Sequence, residues 1–274
     1  MAKYKKKRAR ELQHDKFRDT AISIFDRVGD RLEGKGRAIL YGLIGVVVLG
    51  ALVALYVNWS ERKSDEARRA LGRAITISRT PISGVLPPGA PPPTGPTFTN
   101  ERERAQRAIE EFEKVAAKYG DPYRSEARYF IGTSRLQVER EKGISELAEL
   151  SNSGLPEVAT LSKFALAQAQ EADGKHDEAA KLYSEIAALN SAVVTPETAN
   201  LRLAEVYQKQ GKTKEAADLL FNIAEASRIA KDADGSSAKP SSAAREAAQK
   251  LEKIDPDRHA KLTPEAPVAG NLPF

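Results

Sequence analysis

The chain has 274 residues, with 43 Lys and Arg against 38 Asp and Glu, three histidines and no cysteine. It therefore cannot form disulfides, use a thiolate nucleophile or hold a metal through cysteine. Abundant alanine and only 6% aromatic residues favour packed helices over sheets.

Charge is unevenly distributed. Residues 1–37 carry twelve basic and six acidic side chains, a net +6; Ala38 to Trp59 carry none; the remainder is nearly neutral at −1. Residues 1–10 are a basic arm, which suits anionic lipid. Nucleic-acid binding is not expected of it, because no aromatic platform or known motif accompanies the charge. From Asp15, the apolar residues Phe17, Ala21, Ile24, Phe25, Val28 and Leu32 recur at helical spacing. That predicts an amphipathic helix, lying in a membrane interface or docked on a partner.

Ala38 to Trp59 reads AILYGLIGVVVLGALVALYVNW. As a helix it spans about 33 Å, enough to cross bilayer hydrocarbon. The run is longer than the apolar region of a cleaved signal. Tyr41 near one end and Tyr56 and Trp59 at the other suit two headgroup layers. The expectation is a single transmembrane helix; the alternative is a buried hairpin helix, with Gly42, Gly45, Gly50 and Ala54 admitting a close neighbour. The positive-inside rule puts the basic tail in the cytoplasm and the rest across the membrane. The immediate flanks do not decide this, since the twenty residues after the run hold six Lys or Arg against five in the twenty before.

Residues 60–80 continue as a helix. Residues 81–97 hold seven of the fifteen prolines, so a loop is inserted there. Residues 99 to about 228 read as successive helices. Thr99 or Asn100 caps the first, which ends before Gly120-Asp121-Pro122. Leu155-Pro156 and Thr195-Pro196 mark two further starts, and Gly174 and Gly211 mark turns between paired helices. Residues 231–242 are loop-like, Ala243 to Ile254 form a last helix stopped by Asp255-Pro256, and the tail to Phe274 is loose. The domain layout expected is a basic cytoplasmic tail (1–37), a transmembrane helix (38–59), a repeat domain (60–230) with the proline-rich insert, and a capping helix with tail (231–274).

Within the helical region the sequence repeats. Leu166, Ala167, Gly174, Ala179 and Ile186 fall on Leu203, Ala204, Gly211, Ala216 and Ile223 with a shift of 37 residues. A weaker copy lies 35 residues earlier at Ile131-Gly132 and Ile144, and a still earlier second helix at Ala108, Phe112 and Val115 is paired with the helix holding Leu71-Gly72. Small residues at 132, 167 and 204 let one helix approach its neighbour; Tyr183, Leu220 and Ile223 fill the core. The pattern resembles the tetratricopeptide repeat, a helix–turn–helix unit of 34 residues, although the early tryptophan is absent and the spacing departs from 34. The fold class expected is all-α: a single transmembrane helix followed by a tetratricopeptide-like α-solenoid.

The basic tail with ELQHDKFRD, the single span, SDEARRAL and the repeats together resemble, over roughly residues 11–230, the bacterial family of ancillary Sec-translocon subunits. That resemblance implies a single-pass protein of the bacterial inner membrane with its repeat domain in the periplasm. It implies as partners the Sec translocon, periplasmic chaperones, exported polypeptides and membrane lipid. Assistance to secretion or folding at the translocon is the function implied; a scaffold for cell-envelope or cell-division machinery is the alternative.

No catalytic constellation is present and no cofactor or metal is expected. His14, His176 and His259 lie in three separate segments without ligand spacing, and His176 is read as a solvated turn residue. No glycine-rich phosphate loop occurs. Acid pairs such as Glu110-Glu111 suit solvated helix faces. The expected functional surface is a groove lined by the first helix of each pair, at Tyr129, Thr133, Phe164, Gln168, Leu201, Glu205 and Gln208, suited to an extended or helical peptide. Phe164 and Leu201 are alternatively plain core.

Overall fold

The computed structural model describes residues 36–82, 97–233 and 235–265; the side chains of 36–45, 54 and 56 lie outside that description. The basic arm, the amphipathic stripe at residues 17–32, most of the proline-rich insert and residues 266–274 fall outside it too. The chain divides into two compact units, the second beginning at Glu66.

The first helix among the described residues, α1 (Gly36–Ser78), is continuous over 43 residues. It contains the whole uncharged run, whose described large apolar side chains are all exposed, from Val46 at 71% to Val57 at 46%. Among the described residues, no helix is long and apolar enough to cross a membrane. Nearly half of the run's side chains, those of 38–45, 54 and 56, are not among them.

The second unit consists of helical hairpins. After α1 come α2 (Glu101–Lys118), α3 (Tyr123–Val138), α4 (Arg140–Leu150), α5 (Pro156–Ala172), α6 (His176–Ala188), α7 (Pro196–Lys209), α8 (Thr213–Ile229), α9 (Ser242–Ile254) and the short α10 (Pro256–His259). From α2 onward each helix packs on the next, and α3 also touches α5 and α7 touches α9. A stack in which each hairpin meets only its neighbours is the build of a helical solenoid. Among the described residues the β-structure consists of isolated bridges, Ile82 with Phe98 and Lys231 with Ser237.

Local chemistry sets the helix ends. Asn100 accepts from the Glu103 backbone N–H at 2.9 Å, while the Glu103 carboxylate accepts from the Thr99 backbone N–H at 2.9 Å and hydroxyl at 2.6 Å. This reciprocal arrangement satisfies donors that the first helical turn leaves free. Thr195 and Ser241 cap α7 and α9 through their hydroxyl oxygens, which accept from the Thr198 and Ala244 backbone N–H groups. The turns α5–α6 and α7–α8 match: Gly174 (φ 75°) and Gly211 (φ 74°) take the left-handed conformation. The following N–H groups of Lys175 and Lys212 then donate to the carbonyls of Gln170 and Tyr207, both at 2.9 Å. Glycine is favoured where the chain must reverse with positive φ.

Four hairpins bury equivalent positions. On the first helices these are Ala67, Ala127, Ser162 and Ala199, and one turn later Leu71, Ile131, Leu166 and Leu203. On the second helices they are Ala108, Gly143, Ala179 and Ala216, then Phe112, Leu147, Tyr183 and Leu220, then Val115, Leu150, Ile186 and Ile223. The pairing of α1 with α2 across the proline-rich insert follows, because Leu71 and Ala74 share one apolar cluster with Ala108, Phe112 and Val115.

Three expectations are corrected. The second-helix copy in the α3–α4 hairpin lies 36, not 35, residues before the next. Gly143 occupies the close-approach position, while Ile144 is only partly buried beside Leu147. The turn there is the single residue Glu139, which shifts the register by one. The helix ending at Ile254 is not the last, since Pro256 opens α10. The tail as far as Glu265 is not loose: Leu262 is 6% exposed, and the Thr263 backbone N–H donates to Glu225 on α8 at 2.8 Å.

The α3–α4 contact gives a diagnostic test. A Cβ at Gly143 would lie 2.7 Å from the Leu136 backbone nitrogen and 2.8 Å from the Gly132 carbonyl oxygen. Backbone cannot yield as a side-chain tip does, so Gly143→Ala forces the helices apart, at a cost of about 1–3 kcal/mol that overrides alanine's better helix propensity. A lowered urea midpoint of the full chain in detergent micelles is expected. Ser162→Ala is the control: its hydroxyl is buried without a partner. Removing it leaves stability unchanged or raises it by up to about 1 kcal/mol, seen as an equal or higher midpoint.

Candidate functional site

The first helices α5, α7 and α9 leave between them a groove of about 480 Å³, lined by Glu171, Arg202, Glu205, Gln208, Lys209 and Lys250. Arg202, Glu205 and Lys209 stand at helical spacing on α7; Glu171 comes from the last turn of α5 and Lys250 from α9.

Both carboxylates lie deep, each 14% exposed, whereas Arg202 and Lys209 are 40% and 52% exposed at the rim. Glu205 accepts from Arg202 Nη1 at 2.8 Å and pairs with Lys250 Nζ at 2.9 Å. Glu171 accepts from Lys209 Nζ at 2.6 Å and from the Tyr183 hydroxyl at 3.0 Å. Taking a carboxylate from water is costly unless such partners replace the lost hydration. Burial pushes the Glu205 carboxyl up, but the hydrogen bonds from Lys250 and Arg202 and their positive charges together outweigh it and hold it below the ordinary glutamate value. Tyr183 is driven upward, first by burial and then by the Glu171 carboxylate, so it stays a neutral donor.

The residues expected to line the groove divide. Glu205 and Gln208 are in it. Leu201 is 4% exposed and belongs to the core formed with α8 and α9. Phe164 is half-buried, edge-on to Tyr183 at 5.7 Å. Tyr129 packs edge-on to Phe130 at 5.2 Å, and burial raises its hydroxyl pKa. Thr133 donates to the Phe130 carbonyl of its own helix at 3.0 Å. Gln168 is exposed on α5, outside the groove. Glu171, Arg202, Lys209 and Lys250 were not anticipated. Glu171 was findable, being the 37-residue equivalent of Gln208. Lys250 was not, because the loop before α9 breaks the repeat phase.

A second concavity of about 480 Å³ lies between the start of α5 and the α6–α7 loop, where Leu189 and Val193 are 51% and 41% exposed. His176, expected to be solvated, is half-buried at the start of α6 with Nδ1 covered and unpartnered. Among the described residues no group of His, Cys, Asp and Glu could hold a metal ion.

No family profile matches the chain. No curated protein matches it either. Two solved structures are similar, a variant and another form of nearly identical TPR-like repeats from Podosopora anserina. The variant is 18% identical with a TM-score of 0.44, the other 20% identical with a TM-score of 0.40; each match covers 55% of this chain and 77% of that one. The in-register hairpins themselves define this chain as an all-α helical-repeat protein of TPR-like build.

The Glu205 pairs make stability pH-dependent in a stated direction. With the folded carboxyl held low, their contribution is complete above the ordinary glutamate pKa and is lost as pH falls through the folded value. The urea midpoint of the wild-type chain should therefore fall on acidification, and Glu205→Gln should reduce stability near neutrality by on the order of 1 kcal/mol, seen as a lower midpoint, while reducing the acid dependence.

Proposed function

We propose that this chain is a membrane-anchored helical-repeat protein whose hairpin array binds polypeptide and assists secretion or folding of exported proteins at the Sec translocon. The observation that carries the binding role is the open groove between α5, α7 and α9. Repeat arrays bury one side of each helix to build their core and leave the other side as a continuous recognition surface. The covalent tether is α1. Its 22 uncharged residues in one unbroken helix, with Val46, Val47, Leu49, Leu52 and Leu55 at least 57% exposed, suit a lipid environment better than water. The +6 tail suits the cytoplasmic face, which supports a reading with the array in the periplasm of a bacterial inner membrane.

Crosslinking in native membranes tests the role. Capture of translocon subunits and exported chains is expected; their absence alongside capture of division proteins overturns it. Protease added to spheroplasts tests the orientation. Degradation of the repeat domain is expected, and its full protection would reverse the topology.

A further inference from the structure

Resting on the membrane-anchored reading, we infer that the edge of the array formed by the loops between hairpins lies on the lipid surface, with Leu189 and Val193 entering the headgroup layer. Three observations carry this.

The first is the direction of the hairpins. Residues 66–78 of α1 serve as the first helix of the first hairpin, with Leu71 and Ala74 in one apolar cluster with Phe112 and Val115 of α2. Lys118, at the end of α2, pairs with Glu66 at 2.5 Å, so the chain enters the array at the edge where second helices end. The later hairpins repeat that direction, and α3, α5 and α7 all start at this edge. Glu66 follows Trp59, where the uncharged run ends, by seven positions, which reach about 25 Å even when fully extended. The anchor therefore tethers this edge close to the bilayer surface.

The second observation is where apolar side chains are left bare. Outside α1, the exposed large apolar residues among those described are Leu189, Val193 and Ile229. All three stand at this edge, at the ends of α6 and α8 and in the loop that follows α6. The α4–α5 and α6–α7 loops, residues 151–155 and 189–195, read SNSGL and LNSAVVT without a charge, in a chain that is 30% charged. The opposite edge differs, since Glu139, Asp173, Lys175 and Lys212 occupy the turns within hairpins. Uncharged loops with aliphatic tips enter the headgroup layer without stripping water from an ion.

The third observation concerns the occupant. Leu189 and Val193 line the concavity at the start of α5, and the residues around it include no aromatic side chain and no arginine. Those are the anchors that protein interfaces favour. The cation of the concavity, Lys163, is already paired with Glu185 at 2.9 Å. A bilayer needs no such anchors. Tethering raises the effective concentration of its surface, so shallow insertion of a few aliphatic side chains suffices.

Because the chain has no cysteine, a single introduced thiol can report on one position. Full-length Ala192→Cys and Lys214→Cys, each carrying a nitrobenzoxadiazole dye, are reconstituted into phosphatidylethanolamine–phosphatidylglycerol vesicles with and without spin-labelled lipid. Position 192 lies in the α6–α7 loop; position 214 is exposed at the opposite edge. The dye at 192 should shift to the blue and lose most of its emission to the spin label, at low and high salt alike. The dye at 214 should do neither. Leu189→Gln combined with Val193→Gln should abolish the quenching at 192 and leave circular dichroism unchanged, since both side chains are exposed. Equal quenching at 192 and 214 overturns the inference, as does quenching that survives the double substitution in a folded chain. A blue shift that ignores the spin label but grows with the protein-to-lipid ratio assigns the edge to a second copy and overturns it too. Carbonate extraction separates the two failures. A chain that resists extraction without quenching at 192 sinks this inference alone; a chain stripped from the vesicles sinks the membrane-anchored reading with it.

Discussion

The structure depends on how closely the two helices of each hairpin can approach. At the crossing of α3 and α4, Gly132 and Gly143 remove side chains from both partners, and Leu147 fills the remaining space within 3.0 Å of where a Gly132 Cβ would stand. In the next two hairpins Ala167 with Ala179, and Ala204 with Ala216, take these places, all four fully buried. A larger residue at any of them would separate the helices and leave Tyr183 or Leu220 without close neighbours. Dispersion and apolar burial both weaken steeply with such a gap. The turn glycines, the buried leucines and the order of stacking all follow from keeping that distance short.

Polar groups are accommodated around this apolar core. Arg135 on α3 donates to Glu113 on α2 at 2.8 Å and to Glu146 on α4 at 2.7 Å, joining three helices. Arg140 reaches Asp173 at 2.7 Å and the Ala169 carbonyl at 2.9 Å, linking two hairpins. Arg258 on α10 pairs with Asp218 on α8. The groove uses the same chemistry more deeply, since Glu171 and Glu205 are largely withdrawn from water where cations on α7 and α9 meet them. Helix α9 thus extends the apolar stack through Ala247 and Leu251 and also completes the electrostatics of the groove through Lys250.

Much of the hairpin architecture was legible in the chain. Asn100 next to Glu103, Pro156, Pro196, Gly174 and Gly211 are local signals, because capping and left-handed turns depend on a few adjacent residues. The 37-residue shift was legible because two hairpins share one turn length. Where the turn shortens to Glu139 alone, fixed-phase comparison placed Ile144 where Gly143 belongs. Groove residues were harder to read. Periodicity identifies the first helices but not which side of each faces a neighbour, so it leaves Leu201 between groove lining and core; α8 and α9 cover it.

By itself, then, the sequence determined the helical class, the helix ends, the uncharged run and the residues small enough for close crossings, since each is set by the chemistry of neighbouring residues or by simple spacing. Only the tertiary structure decided which glutamates are buried, that Lys250 joins Glu205 across 45 positions of chain, and that the segment to Glu265 folds back onto α8. Those contacts depend on rotations and loop lengths accumulated along the stack, which no local pattern encodes.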